Sequence, residues 1–510
     1  MTPLHAAKLL TRQFSGAVAA LAVVALGSGC AVGPDFQRSG APTVNGYTRE
    51  PLVASTASAH IAGGEAQRFE LNRDISQQWW TLFQSPQLNA LIEKALKGNP
   101  TLIAAQAALR QATELVYAQQ GFFFPTVGGD FTSGMYRSSP QTSPLLSTPS
   151  TNYNLYTATV TVGYVPDVWG ANRRQVESLR AQAESQRFLF EATYLTLTSN
   201  VVAAAIQEAS FRGQIAATKD IIAISTKSLE LLRRQFELGY VARIDVAAQE
   251  AALAQVQQTL PPLQKQLEVT RDLLRALAGR FPSEEPEEKI ELSELHLPQD
   301  LPVSLPSKLV EQRPDVRTAE ELVHAASAQI GVAIANMLPK ITISGAKGGI
   351  GTDFTNMFAA GHPWSDVVAD FTYPFFAGGT LLHTKRAAEA AFEQAAAQYR
   401  STVLTAFQNV ADTLYALQND AESLKAAVAA ERAAKVTLDL TLKQQQLGYV
   451  NYLALLSARM AYQQALITRV QAQANRFADT AALFQALGGG WWNRPDETAA
   501  PTASQVSERR

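Results

Sequence analysis

Between Pro125 and Gly170 the chain alternates with a period of two: Tyr156, Ala158, Val160, Val162 and Tyr164 stand against Thr157, Thr159, Thr161 and Gly163. That period predicts a strand with one apolar and one polar face. From Tyr156 to Tyr164 it covers about 26 Å of backbone, or about 20 Å of height once tilted. The same pattern returns in Val367, Ala369, Phe371 and Tyr373, set against Asp366, Val368, Asp370 and Thr372. Ile341 and Ile343 alternate with Thr342 and Ser344, and Val127–Tyr136 is a weaker fourth case. Four strands are therefore expected at about 126–136, 154–165, 340–350 and 365–375. The aromatics Tyr156, Tyr164, Phe371 and Tyr373 at the ends of the apolar faces suit the two interfaces of a lipid bilayer.

The remaining pattern is helical. Ser85-Pro86 reads as an N-cap followed by proline at the first helical position. Leu88, Leu91, Ile92, Ala95 and Leu96 then form one apolar face, with Gly98 as its stop. Asn99-Pro100 opens a second helix that Pro125 ends. From Asn172 to about Leu238 the only interior glycine is Gly213 and proline is absent, which predicts a rod of about 100 Å. Gly239-Tyr240 makes a turn, and a return helix runs from about Ile244 to Leu277, kinked at Pro261-Pro262. Small and amide side chains on these rods permit either a solid bundle or a wall of helices around a wet interior.

The pattern is also duplicated. Gln235-Phe-Glu-Leu-Gly-Tyr-Val241 recurs as Gln444-Gln-Gln-Leu-Gly-Tyr-Val450, and Asp167-Val-Trp-Gly170 has its counterpart in Phe376-Ala-Gly-Gly379 at the same offset. Asn99-Pro100 pairs with Arg313-Pro314, and Pro125 with Pro339, at a slightly larger offset. The difference falls in the loop 138–150. The expected organisation is a leader (1–29), an extended segment (30–84), a first repeat (85–279), a linker (280–304), a second repeat (305–487) with rods over Thr380–Leu447 and Asn451–Leu487, and a tail (488–510).

Composition sharpens the picture. Among 510 residues, 43 Lys plus Arg face 45 Asp plus Glu, a net charge of −2 that argues against nucleic acid as a partner. Charged residues are only 17%, against roughly 25% in an average soluble domain. So little charge over such a length predicts extensive buried or lumen-facing surface coated with neutral polar groups. The single cysteine excludes disulfide frameworks and multi-cysteine metal sites. It is Cys30, preceded by basic Lys8 and Arg12, an apolar run from Phe14 to Leu26, and Gly27-Ser28-Gly29. This resembles a lipoprotein signal with Cys30 as the acylated first residue of the mature chain. One departure is Gly27, where leucine is usual; Leu26 sits one step earlier. Ala31 after the cysteine resembles an outer-membrane sorting signal.

No segment after the leader reaches the ~18 consecutive apolar residues of a spanning helix, so crossing a membrane falls to the strands. Four strands cannot close even the smallest eight-stranded barrel. Open edges are not tolerated in lipid. The barrel must be shared between copies, which makes the protein an obligate oligomer.

With these pieces together, the chain resembles the TolC-type outer-membrane efflux proteins, in particular the NodT-family lipoprotein branch. The most specific blocks are Cys30-Ala-Val-Gly-Pro-Asp-Phe36, Trp79-Trp80-Thr-Leu-Phe83, Arg313-Pro-Asp-Val316 with Ala328-Gln-Ile-Gly-Val-Ala333, and Phe376-Ala-Gly-Gly379. Tyr164-Val-Pro-Asp-Val-Trp-Gly170 departs from another family block at Val165, where an acidic residue is usual. The resemblance implies a mainly α protein with a β membrane part. A homotrimer would share a twelve-stranded barrel in outer-membrane lipid, above a long α-helical barrel reaching into the periplasm. It implies two partners, a periplasmic adaptor (membrane fusion) protein and an inner-membrane pump of the resistance-nodulation-division type. It places Leu238, Gly239 and Tyr240, with Leu447, Gly448 and Tyr449, at adaptor-contacting tips. Family gates often carry second-repeat aspartates; the matching positions here are Ala454 and Ser457, whereas Asp245 matches an acidic position of the first repeat.

The competing classes are an enzyme and a periplasmic scaffold or adaptor lipoprotein. His5, His60, His296, His324, His362 and His383 are scattered, without metal-ligand spacing, and no cofactor or metal is expected. Gly345-Ala-Lys-Gly-Gly-Ile-Gly351 lacks the Gly-Lys-Ser/Thr ending of a phosphate cradle and reads as a barrel loop. Trp491-Trp492 reads as the anchor of a tail rich in Pro, Thr, Ser and Ala. Adaptors have long hairpins too, but lack strands bounded by aromatics.

Overall fold

A computed structural model describes residues 31–44, 46–137, 152–284, 289–359 and 363–494. The leader, Cys30, the 138–150 loop and residues 495–510 of the tail lie outside them. The described residues form two compact units, one of residues up to 39, 108–186 and 319–399, the other of 40–107, 187–318 and 400 onward.

The helices are α1 (Pro86–Gly98), α2 (Pro100–Gln120), α3 (Ala171–Glu237), α4 (Arg243–Leu277), α5 (Pro306–Gln312), α6 (Pro314–Ala335), α7 (Thr380–Gln446) and α8 (Tyr452–Ala486). The strands are β1 (Arg68–Leu71), β2 (Thr126–Arg137), β3 (Asn152–Tyr164), β4 (Asp300–Val303), β5 (Lys340–Gly351) and β6 (Pro363–Thr372). Duplication is visible in the rods, since α3 and α7 both have 67 residues and α4 and α8 both have 35.

In the first unit β2, β3, β5 and β6 form one antiparallel sheet in that order. Gly345-Ala-Lys-Gly-Gly-Ile-Gly351 belongs to β5 rather than to a loop. Its glycines admit close neighbours: a Cβ on Gly349 would lie 2.4 Å from the Met357 carbonyl. β6 ends at Thr372, so Tyr373 follows the strand instead of closing it.

In the second unit β1 and β4 make a short parallel pair. Trp79 stacks on Phe484 with centroids 5.3 Å apart, and Phe83 and Phe477 pack beside them. Each repeat is fastened at this level by a matched joint. Asn99 Nδ2 donates to the Leu277 carbonyl at 2.9 Å, while its Oδ1 caps α2 through Thr101 and Leu102. In the second repeat Arg313 Nη1 donates to the Ala486 carbonyl at 3.0 Å, and Asp315 holds the rest of the guanidinium.

The expected kink at Pro261-Pro262 is not a break: α4 continues through both prolines. Both rings face solvent, so the carbonyls deprived of N–H partners can be satisfied by water. Helix α3 contains a stretch apolar enough to cross a membrane by composition, but 56% of it is buried within the chain.

Gly488, Gly489 and Gly490 all have positive φ and turn the chain out of α8. Trp491 Nε1 then donates to the Gln312 carbonyl at 2.6 Å, and Trp492 Nε1 to Asp74 at 2.9 Å. The tryptophan pair thus anchors the last described residues, as the sequence predicts.

Candidate functional site

The four-stranded sheet sorts its side chains as the period-two pattern requires. Antiparallel partners share a face, so the register puts Val160 beside Gly129 and Lys347, and Val162 beside Val127 and Gly345. Extended to β6, that face also holds Ile343, Val367 and Phe371. Val127, Phe131, Val160, Val162, Val367 and Phe371 on it are all exposed, Val367 by 84%. A sheet face of this kind is not left to water in a stable protein.

The opposite face carries Thr157, Thr159 and Thr161 with Asp130, Asp366 and Asp370. The aspartates of the sheet are therefore confined to one face, which also carries Ile350, Trp364 and Val368, while Lys347 lies on the other. Tyr156 packs edge-on to Phe354 with centroids 6.2 Å apart, and Phe131 does so at 6.0 Å, forming an aromatic cluster toward the loop end. At the other end Tyr373 meets Phe375 edge-on at 5.1 Å. Strands β2 and β6 are the two edges of the sheet and have no partner on their outer sides among the described residues.

Directly after Cys30 the chain is bolted to the first unit. Val32 N donates to the Trp169 carbonyl at 3.1 Å. Arg174, almost fully buried, donates to the Val32 and Gly33 carbonyls and to Asp35 at 2.7 Å. Gly33 crosses Gly331 so closely that a Cβ on it would lie 2.4 Å from the Gly331 Cα. Phe36 stacks on His324 at 4.4 Å, and the imidazole sits between Glu177 and Glu321.

The two hairpin turns are copies of one another. Tyr240 N donates to the Gln235 carbonyl and Gly239 N to that of Phe236; Tyr449 and Gly448 repeat this with Gln444 and Gln445. This is the Schellman arrangement, and Gly239 and Gly448 both take φ of 80°. Leu238, Tyr240, Leu447 and Tyr449 are each more than 70% exposed, a large apolar payload at two turns.

Just behind the turns, the hairpins are tied together. Tyr452 donates its hydroxyl to Gln249 Oε1 at 2.6 Å, and Gln249 Nε2 donates to the Ser225 carbonyl at 2.8 Å. Arg459 Nη1 donates to Ser228 at 2.7 Å. Leu229, Leu232, Val246, Leu253 and Leu455 pack around Tyr452. Burial, partly offset by Arg459 and Ser228, raises the Tyr452 phenol above its ordinary pKa and keeps it a donor.

Of the residues expected at the gate, Asp245 accepts from the Ala242 N–H at 3.3 Å and so caps its own helix. Ala454 N donates to the Asn451 cap at 3.0 Å, and Ser457 is exposed. The link between hairpins is made by Tyr452, Gln249, Arg459 and Ser228. Their spacing within each helix carries no motif, so only the packing of α8 against α3 and α4 reveals them.

A family model described as outer membrane efflux protein matches residues 91–280 and 305–489. The chain belongs to the outer membrane efflux protein family. This efflux protein is 26% identical over 418 residues to the pyoverdine export outer membrane protein OpmQ of Pseudomonas putida, covering 81% of this chain and 88% of that one. It is 25% identical over 473 residues to nodulation protein T of Rhizobium leguminosarum bv. trifolii, covering 91% and 95%. Among solved structures, the outer-membrane channel OprN matches with a TM-score of 0.80 at 24% identity, over 91% of this chain and 100% of that one. The Campylobacter jejuni CmeC channel matches at 0.81 and 19%, over 94% and 98%. The efflux protein has the fold of TolC-type channels, and its place is the outer membrane. Its relatives are channels rather than enzymes.

Proposed function

We propose that the protein is the passive outer-membrane exit duct of a tripartite efflux pump, assembled as a homotrimer. The observation that carries the reading is the four-stranded sheet with one exposed apolar face, one acidic-and-threonine face and two open edges. Strand β2 runs from its helix toward the loops and β6 runs back, so β6 of one copy can pair antiparallel with β2 of the next. Such a head-to-tail contact closes into a ring. Three copies give twelve strands, with the apolar face toward lipid and the acidic face toward the lumen.

Cys30 is the acylation site, and the strap from Val32 to Phe36 supports that reading by fixing its neighbour to the first unit. The tips at Leu238–Tyr240 and Leu447–Tyr449 dock a periplasmic adaptor, their exposed Leu and Tyr side chains supplying the contact. The inner-membrane pump, of the resistance-nodulation-division type, supplies the energy and selects the cargo. Opening separates the hairpins, and an adaptor that binds the separated state better shifts the population toward it.

The test is conductance of the purified, acylated protein in a planar bilayer. Discrete steps from a species of trimer mass are expected. Intact trimers that never conduct would overturn the duct and favour a helical scaffold.

A further inference from the structure

At the foot of the four-stranded sheet, where its strands meet the ends of α2, α3 and α6, lies a cavity of about 650 Å3 that the duct reading does not use. Its walls include Phe122, Val165, Trp169, Val332, Leu338 and Ile341. Phe122 is 64% exposed and Val165 43%, so the apolar part of the lining is open to a ligand. Polar groups on the remaining wall are largely engaged with one another. Gln119 donates to Asn172 at 2.6 Å, and Asp167 accepts from the Asn172 and Arg173 N–H groups. Val165 is also where the block Tyr164–Gly170 departs from its family pattern, a valine standing where an acidic residue is usual. The size is that of a small-ligand site, ~300–1,000 Å3, and the open wall suits a hydrocarbon.

The strap decides what reaches this cavity. Ala31, its first described residue, presses on Gly170, where a Cβ would lie 2.6 Å from the Ala31 Cα. Gly170 stands between Trp169 and Ala171, both of which line the cavity. Val32 is fixed to the Trp169 carbonyl, and Arg174 and Gly331 hold the residues around Gly33. Cys30 is one peptide bond before Ala31, a Cα–Cα step of about 3.8 Å from this rim. A lipid that only tethered the chain would need no such fixed approach, and the shared barrel proposed above holds the protein in the membrane without it.

We propose that the cavity seats one acyl chain of the lipid on Cys30, so that the modification completes the packing at the foot of the sheet. The inference rests on the acylation of Cys30 in the reading above. Lipid tails are as apolar as leucine, so the chain itself gains little by leaving the bilayer. The gain is on the protein side. An apolar lining without partner atoms forfeits its dispersion contacts, and a seated chain restores them. Covalent attachment makes entry intramolecular, which favours this chain over the same chain on a free phospholipid. Ile341 of β5 and Val332 of α6 line one space, so a seated chain touches strand and helix layers together.

The test labels the full protein in outer membranes of cells fed a palmitate analogue with a diazirine near its methyl end. Wild type is compared with Val165→Glu, which sets a carboxylate against the hydrocarbon, and with Val332→Phe, which fills the space, should the first not assemble. After irradiation, mass spectrometry of the digested trimer reads the N-terminal peptide and what it has captured. Expected is an acylated Cys30 peptide cross-linked within the chain to peptides carrying Phe122, Val332 or Leu338. That cross-link should fall severalfold in the variant while Cys30 stays acylated. An acylated peptide linked only to phospholipid, or to the exposed face around Val367, would overturn the seat and leave the duct intact. So would a cross-link undiminished in both variants. Equal labelling of the cavity peptides by free phospholipid in Cys30→Ser, exported behind an ordinary signal, would make the cavity a general lipid site and sink its assignment to Cys30. A wild-type N-terminal peptide without lipid would remove the acylation and the inference with it. Conductance of the same preparations tests the duct on its own.

Discussion

The Tyr452 hydroxyl lies 2.6 Å from Gln249 Oε1, joining the second hairpin to the first across the α8–α4 contact. Both residues are buried, and the Gln249 amide passes the connection on to the Ser225 carbonyl. In Tyr452→Phe the glutamine oxygen keeps its burial but loses its donor, a cost of about 1–3 kcal/mol. Under the proposed opening, which separates the hairpins, that cost falls on the joined state alone, so the open fraction should rise roughly fivefold to a hundredfold in single-channel recordings. Asp245→Ala should lose helix-cap stability of about 1 kcal/mol and leave the open fraction nearly unchanged.

Val367 and Asp366 are neighbours in β6 that face opposite sides of the sheet. Val367→Arg should cost about 2–4 kcal/mol if it faces mid-bilayer lipid, and should sharply lower the yield of folded trimer in outer-membrane fractions. Asp366→Arg should assemble normally. Equal yields from the two variants would contradict the assignment of faces.

Asp130, Asp366 and Asp370 share the polar face, where Lys340 at the foot of β5 is the one paired basic residue, Arg137 and Lys347 lying on the other face. Replacing all three by Asn should reduce the preference for cations, read as a shift of reversal potential in a salt gradient. The shift should shrink at high ionic strength, where charges beyond ~3 Å are screened at 1 M salt.

The strap crossing predicts a stability defect separable from lipidation. A Cβ on Gly331 would lie 2.8 Å from the Val32 carbonyl and 2.8 Å from Arg174 Cγ. Gly331→Ala should therefore lift the strap and cost about 1–3 kcal/mol. Limited proteolysis within residues 31–38 should become faster even when Cys30 is acylated.

Thermal stability should carry the signature of Asp420. Its carboxyl is raised from 3.8 to about 7 by burial and Asp479, so the folded state binds the extra proton. A group raised in this way contributes stability fully below its unfolded value, and that contribution is lost as pH climbs through the folded value. Melting temperature should thus fall from acid toward about pH 7 through this group, and Asp420→Asn should flatten that slope.

The parts of the fold written in short-range pattern were legible in advance. Tyr156–Tyr164 alternates because a strand has two faces, and Gly239 and Gly448 stand where both turns need positive φ. The repeat landmarks Asn99-Pro100 and Arg313-Pro314 were visible as well, but their use was not. Different side chains reach equivalent carbonyls, Leu277 and Ala486, and no rule of spacing equates an asparagine with an arginine. The ties between hairpins stayed hidden for a related reason. Tyr452, Gln249, Arg459 and Ser228 lie on three helices, and each alone reads as an ordinary helix residue. Pro261-Pro262 stay inside one helix because both rings face solvent, where the freed carbonyls reach water. The glycine run in β5 misled because its role is to admit Met357 and Phe358, a contact made only after the chain folds back.

The open edges of β2 and β6 also set the genetics of the protein. In the proposed ring of three, each copy offers one edge to each neighbour, so a chain with a single spoiled edge still joins by its good one and then stops the ring. One such subunit in three is enough to waste the other two. Co-expressed with wild type, an edge mutant should act as a poison rather than a passive null, and its harm should grow faster than its share of the pool.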